Sequence, residues 1–142
     1  MARFLGNHPI TVDDKNRIVI PSRWRQGLGG EVAVQRSDKP CLTIIPQATW
    51  NAQYEKLLAR SETDKLALRE LEYLCQFTEE GQAVDKAGRM VIPADVKGYF
   101  HLEGELLLTG TVDHLELWRR EDHAEYYESS RIDIAKLRNV MP

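Results

Sequence analysis

Twice in this chain an aspartate stands four positions before an arginine, ahead of an apolar run that ends in proline. The first copy is Asp13-Asp14-Lys15-Asn16-Arg17 before Ile18-Val19-Ile20-Pro21, and the second is Asp85-Lys86-Ala87-Gly88-Arg89 before Met90-Val91-Ile92-Pro93. A carboxylate and a guanidinium fit one another as a hydrogen-bonded pair, so each aspartate can hold its arginine and stabilise a turn. An arginine held in one orientation can also offer its remaining donors to phosphates or base edges, with a neighbouring lysine adding charge. The two roles are compatible, because the fork carries more donors than one carboxylate uses. The candidate site residues are therefore Asp13, Lys15 and Arg17 in one copy and Asp85, Lys86 and Arg89 in the other.

Other chemistry finds little support. The 142 residues contain no Gly-x-Ser-x-Gly, no phosphate-binding loop and no His-Glu-x-x-His. His8, His101, His114 and His123 are scattered, and Asp113-His114 falls between two apparent strands, where a surface turn is expected rather than a catalytic pair. Cys41 and Cys75 are too few for a disulfide scaffold or a cysteine zinc site and are expected as small buried hydrophobes. Trp24, Trp50 and Trp118 are aromatic enough to stack bases, but their places in apolar runs predict core packing. Neither an enzyme nor a cofactor or metal site is expected.

Composition sets the frame around these residues. A chain of 16.3 kDa with 42% hydrophobic residues can bury one modest core. With 29% charged residues and no apolar run of about 20, no membrane span is expected. The stretch after Met1 lacks a secretory pattern, which points to the cytoplasm. The net charge of −3 hides an asymmetry: residues 1–25 hold five basic residues against two acidic ones, and residues 101–128 hold eight acidic against two basic. A basic face and an acidic face are expected.

The elements that position the candidate residues are themselves repeated. Aspartate, arginine and proline recur at a shift of 72. Each block is followed by a short segment (Trp24 to Leu28, or Val96 to Phe100) and then by two apolar runs separated by a turn. Those runs are Val32–Val34 and Leu42–Ile45 in one half, Leu106–Leu108 and Leu115–Trp118 in the other. The β-branched Arg17-Ile18-Val19-Ile20, closing at a proline, reads as a strand, and Arg36-Ser37-Asp38-Lys39-Pro40 as the turn of a hairpin. Trp50, Tyr54, Leu57 and Leu58 fall at helical spacing. A second helix is predicted to open at Ser61, with Asp64 in the capping-box position and a buried stripe of Leu68, Leu71 and Cys75 that Leu74 adjoins. It has no counterpart in the second half. The tail from Ser129 carries Ile132, Ile134, Leu137 and Val140 without a clear element. A half of about 60 residues is marginal alone. Two copies sharing a core about a pseudo-twofold axis, with exposed strand edges that favour self-association, are expected.

The duplicated D-x-x-x-R block, each with its hairpin, and the Glu116-Leu117-Trp118 ending resemble the MraZ family, bacterial regulators similar to two SpoVT-AbrB-like DNA-binding units in tandem. The likeness covers nearly all of residues 4–125. It implies an α+β fold of two β-β-α units intertwined as a swapped-hairpin β-barrel: a unit at 5–55, a helical connector at 56–79, a unit at 80–125 and a tail at 126–142. It also implies a homo-oligomeric ring in the cytoplasm and nucleoid that binds double-stranded DNA, at short direct repeats in the promoter of the division and cell-wall gene cluster. Three positions depart from the family pattern. Asn16 replaces a common glycine, a mild change because asparagine tolerates the left-handed conformation. Leu5 stands where an arginine is common, leaving Arg3 as the nearest cation and a further candidate DNA contact. Val96-Lys97 replaces a frequent Leu-Arg, implying weaker DNA contact by the second half. The rival reading, an AbrB-like antitoxin that binds a protein partner through its helices, expects one DNA-binding unit and a partner-binding tail; the duplication argues against it.

Overall fold

The computed structural model describes residues 2–140; Met1 and the Met141-Pro142 end of the tail lie outside it. In chain order the first half gives strands β1 (Asn7–Thr11) and β2 (Arg17–Val19), helix α1 (Ser22–Leu28), strands β3 (Glu31–Arg36) and β4 (Leu42–Pro46), and helices α2 (Gln47–Arg60) and α3 (Lys65–Gln76). The second half repeats the plan with β5 (Thr78–Ala83), β6 (Arg89–Val91), α4 (Ala94–Phe100), β7 (Glu105–Thr111), β8 (His114–Arg119) and α5 (Arg120–Val140). Pro21, Pro46 and Pro93 each stand immediately before a helix with φ near −55°. Proline lacks the N–H a continuing ladder needs, and its fixed φ suits a helix start, so each ends a strand and begins a helix.

The sheet interleaves the halves. Its order is β1-β7-β8-β4-β3-β5, antiparallel throughout, so β1 of the first half borders the second hairpin and β5 of the second half borders the first. The remaining strands, β2 and β6, pair only with each other in a separate two-stranded ribbon. The result is an α+β fold. The described strands form an open sheet plus a ribbon, not the closed barrel that the resemblance implies. The polar segments at 13–16 and 85–88 turn the chain out of the sheet, so that β2 and β6 leave it.

Side chains alternate across the strands. One face, with Ile18, Ile20, Val32, Val34, Leu42, Ile44, Met90, Ile92, Leu106, Leu108, Leu115 and Leu117, joins Trp24, Leu28 and Phe100 in a core drawn from both halves. The opposite face places Ala33 and Ile45 against Trp50, Leu57, Ala67, Leu71 and Leu74 of α2 and α3. All three tryptophans are buried, and each indole N–H has an acceptor: Leu5 O for Trp24, Glu80 Oε1 for Trp50 and Glu116 Oε1 for Trp118. Rings so enclosed have no free face for a base.

Two helical expectations need correction. Ser61 does not open α3 but ends α2, its Oγ donating to Leu58 O at 2.6 Å. Asp64 is the N-cap itself, its Oδ1 accepting from Leu66 N and Ala67 N at 2.9 and 3.4 Å. A carboxylate there suits the positive end of the helix dipole. The buried stripe of α3 is Ala67, Leu71 and Leu74, which leaves Leu68 and Cys75 exposed. The reason is rotational: α3 turns toward Trp50 and Leu57 of α2, one position round from the face the larger side chains suggest. Cys41 is buried, as expected. The tail is the continuation of α5, whose first turn carries Glu121 and Asp122 and whose His123, Tyr126 and Tyr127 pack on Trp118. Of the apolar tail residues, Ile134 is exposed, and the side chains of Ile132, Leu137 and Val140 lie outside those described.

Candidate nucleic-acid interface

Each D-x-x-x-R segment is a closed turn built around its aspartate. Asp13 Oδ1 accepts from Lys15 N at 2.9 Å and Arg17 N at 2.8 Å, while Oδ2 accepts from Arg17 Nε at 2.9 Å. Asp85 repeats this with Ala87 N at 3.0 Å, Arg89 N at 2.9 Å and Arg89 Nε at 2.7 Å. Backbone bonds shut both turns: Asp13 N to Arg17 O at 2.9 Å, and Asp85 N to Arg89 O at 3.0 Å. The backbone N–H of the arginine, foremost, holds each carboxyl below the usual carboxylate range. In both turns the aspartate engages Nε. The terminal nitrogens of Arg17 and Arg89 have no hydrogen-bond partner among the described residues. The pair is thus both a structural clamp and a presented fork.

The fourth turn residue must adopt a positive φ: Asn16 has +60° and Gly88 +83°. From it the backbone crosses to the other half. Ile92 N donates to Asn16 O and Ile20 N to Gly88 O, both at 2.7 Å. These bonds extend the β2–β6 pairing, in which Arg17 faces Val91 and Val19 faces Arg89. Ile18 and Met90 point into the core, so Arg17, Val19, Arg89 and Val91 share the outer face of one ribbon. Side-chain exposure is 33% for Arg17 and 50% for Arg89, leaving both arginines within reach of a partner.

The lysines are not equivalent, a point the matched spacing hides. Lys15 aligns with Ala87, and Lys86 with Asp14. Both are exposed. Arg3 is exposed beside Phe4, whose N–H donates to Val112 O at the β7–β8 turn. Two other cations reach the turns, a link the sequence reading did not make for Arg25 and drew for Lys97 only through the family likeness. Arg25 on α1 donates Nε to Ile20 O at 2.8 Å, and Lys97 on α4 donates Nζ to Asn16 Oδ1 at 2.8 Å. Their separation of 72 residues is the signal that marks them.

An open groove of about 490 Å³ adjoins the first turn, lined by His8, Thr11, Asp13, Arg17, Glu105 and Arg120. A larger cleft of about 690 Å³ lies between the sheet and the α2–α3 pair and holds none of the motif residues. Along it, Glu116, buried on β8, accepts from Lys39 Nζ at 3.0 Å and lies 3.0 Å from His114 Nε2; His114 Nδ1 lies 2.9 Å from Asp113 Oδ1. Asp113-His114 therefore lies where the hairpin turn enters β8, tied to an ion pair whose carboxylate alone is buried. Among the described residues no group of histidine, cysteine, aspartate or glutamate is placed to hold a metal ion, and no helix is long and apolar enough to cross a membrane.

Two anchored arginine turns on one antiparallel ribbon, embedded in a duplicated α+β chain, define a class of tandem-repeat proteins with a paired basic face. The family model described as "MraZ protein, putative antitoxin-like" matches residues 3–71 and 78–139, one segment for each half. The chain belongs to the MraZ family. It is 31% identical to the "Transcriptional regulator MraZ" of Limosilactobacillus fermentum over 94% of this chain and 93% of that protein. The protein of the same name from Saccharopolyspora erythraea is 31% identical over 98% and 97%, and that from Thermomicrobium roseum 32% over 88% and 87%.

Proposed function

We propose that this protein is a transcriptional regulator, not an enzyme, that binds double-stranded DNA through its two D-x-x-x-R turns. The observation that carries the reading is the clamp itself: each aspartate takes Nε and leaves the terminal nitrogens of Arg17 and Arg89 outward on one ribbon face. A two-stranded ribbon fits the major groove, where an arginine fork reads guanine and an exposed valine meets a thymine methyl. The relatives named as transcriptional regulators support the same role.

The finer picture follows from the family likeness. The units at 5–55 and 80–125, joined by the helical segment 56–79 and followed by the tail 126–142, are related by a pseudo-twofold axis in a swapped-hairpin arrangement. The exchange of β1 and β5 between halves supports this relation. Several copies form a ring in the cytoplasm and nucleoid, its turns facing short direct repeats in the promoter of the division and cell-wall cluster. Each turn offers few cations, so one contact is weak and salt-sensitive. Repeated contacts on evenly spaced sites raise the apparent affinity by roughly 10²–10⁴.

Fluorescence anisotropy tests the reading. The native promoter fragment and a scrambled one are titrated at two salt concentrations with wild type and Arg17→Ala. Preference for the native fragment that falls with salt and is lost in the variant is expected. Equal binding of both fragments at every salt would remove sequence-specific regulation and leave a protein partner as the better reading. The mass of the chain lacking residues 129–142 tells whether the oligomer forms without the tail.

A further inference from the structure

The shift of 72 that relates the two turns also relates Arg25 to Lys97 and Asn16 to Gly88. The fold joins these four residues crosswise. Arg25, on the first half's α1, lies against Gly88 in the second half's turn; a Cβ at Gly88 would collide with the guanidinium and with Ile20 O. Ile20 is held from both sides, its C=O accepting from Arg25 and its N–H donating to Gly88. Lys97, on the second half's α4, reaches Asn16 in the first half's turn, whose carbonyl is already bonded to Ile92.

Resting on the reading that these turns meet DNA, we propose that each turn is a composite site positioned by a cation from the opposite half: Lys97 for the turn at 13–17, Arg25 for the turn at 85–89. The two solutions are matched in shape. A bare glycine leaves room for a planar guanidinium to lie over the backbone. An asparagine fills that room and is met by a slimmer ammonium that bonds its amide. The sites also differ in charge. Lys86, Arg89 and Arg25 stand against Asp85 alone, whereas Lys15, Arg17 and Lys97 stand against Asp13 and Asp14. The terminal nitrogens of Arg25 have no hydrogen-bond partner among the described residues, while the Lys97 ammonium is engaged by Asn16. A lysine at position 97 therefore weakens the first turn's hold on DNA, not the second's, and the second turn is the stronger contact.

Hydrogen–deuterium exchange on the full chain without DNA tests the positioning. Lys97→Ala raises exchange severalfold in peptides covering 13–17 and leaves 85–89 near wild type; Arg25→Ala does the reverse. Both turns loosening equally, or each variant loosening the turn of its own half, overturns the proposal. Shape matching has its own check: Lys97→Arg alone loosens the first turn, and adding Asn16→Gly restores it. Failure of that rescue also overturns the pairing.

Anisotropy on the native promoter duplex tests the sites. Each of Lys97→Ala and Arg25→Ala lowers affinity about 3–10-fold and reduces the salt slope by about one. In double-mutant cycles Arg17 couples to Lys97 and Arg89 to Arg25, each double variant binding about threefold or more tighter than the product of the singles. Arg17 and Arg25 combine additively. Coupling that follows the sequence halves overturns the composite sites. Crosswise exchange with no binding to any duplex overturns the DNA assignment and leaves the positioning standing.

Discussion

The arginine of each turn is held by the nitrogen nearest its stem, which fixes direction without spending the outer donors. Removing Arg17 therefore removes a presented fork. Removing Arg119 does not, because it ends β8 of the main sheet, off the β2–β6 ribbon that carries the turns, with the carboxylates of Glu121 and Asp122 3.2 and 3.6 Å from its Nε. Arg17→Ala is expected to weaken specific binding at least about tenfold, a loss in the range of one good bidentate contact, and Arg119→Ala to change it little. A titration in which the two variants lose equally would contradict the assignment. The aspartates add a pH signature. Their carboxyls titrate below the usual range in the folded state, so their contribution to the turn is present above the unfolded value and is lost as pH falls through the lowered one. Amide exchange at Arg17 should stay slow through mild acid and rise only below the ordinary carboxylate range; Asp13→Asn should lack that transition.

At the scale of elements, the strands and the repeat were legible because hydrophobic runs and prolines act locally. The motif strand, observed as Arg17–Val19, the hairpin runs and the helix through Trp50 form where pattern and turn chemistry place them, the strand ending one residue short of Ile20. The face of α3 was not legible, because it depends on where α2 lies. Thermodynamics can separate the two stripes. Leu71→Ala should cost about 2–4 kcal/mol in urea unfolding as a buried truncation, and Leu68→Ala less than about 0.5 kcal/mol as an exposed one. Equal costs would return the stripe to its sequence reading. The α5 helix carried a readable signal in His123, Tyr126 and Tyr127, spaced to cover Trp118, but the charged residues around them obscured it. In the candidate site, Asp13, Arg17, Asp85 and Arg89 were visible from type and spacing. The turn that Arg25 or Lys97 meets was not, and the likeness assigned Lys97 to the second half, because these partners are set by the β2–β6 pairing between segments 72 residues apart.

For the whole molecule, the seam between hairpins is the β4–β8 pairing, and a charge node guards it. Lys39 of the first hairpin's turn and His114 of the second converge on buried Glu116. Removing that carboxylate strands its partners. Glu116→Ala should destabilise the fold by roughly 2–4 kcal/mol, below the cost of a fully buried pair because Lys39 keeps some solvent contact. Burial pulls the His114 pKa down, but hydrogen bonds to Glu116 and Asp113 prevail and raise it. A raised value stabilises fully below the unfolded pKa and less as pH climbs through the folded one. The melting temperature should therefore decline as pH rises above the free histidine value of about 6.5 and through the raised one. His114→Gln should flatten that decline; an unchanged slope in the variant would place the titration elsewhere.

The outer strands place a demand on biosynthesis. β1 leaves the ribosome before every other described strand, yet its partner β7 lies about a hundred residues downstream. At ordinary elongation rates, about 5–20 residues per second, that is a wait of roughly 5–20 s. Until then the nascent first half carries unpaired strand borders, a state open to chaperones and to association between neighbouring chains on one message. The native sheet is completed only when the β7–β8 hairpin has been translated.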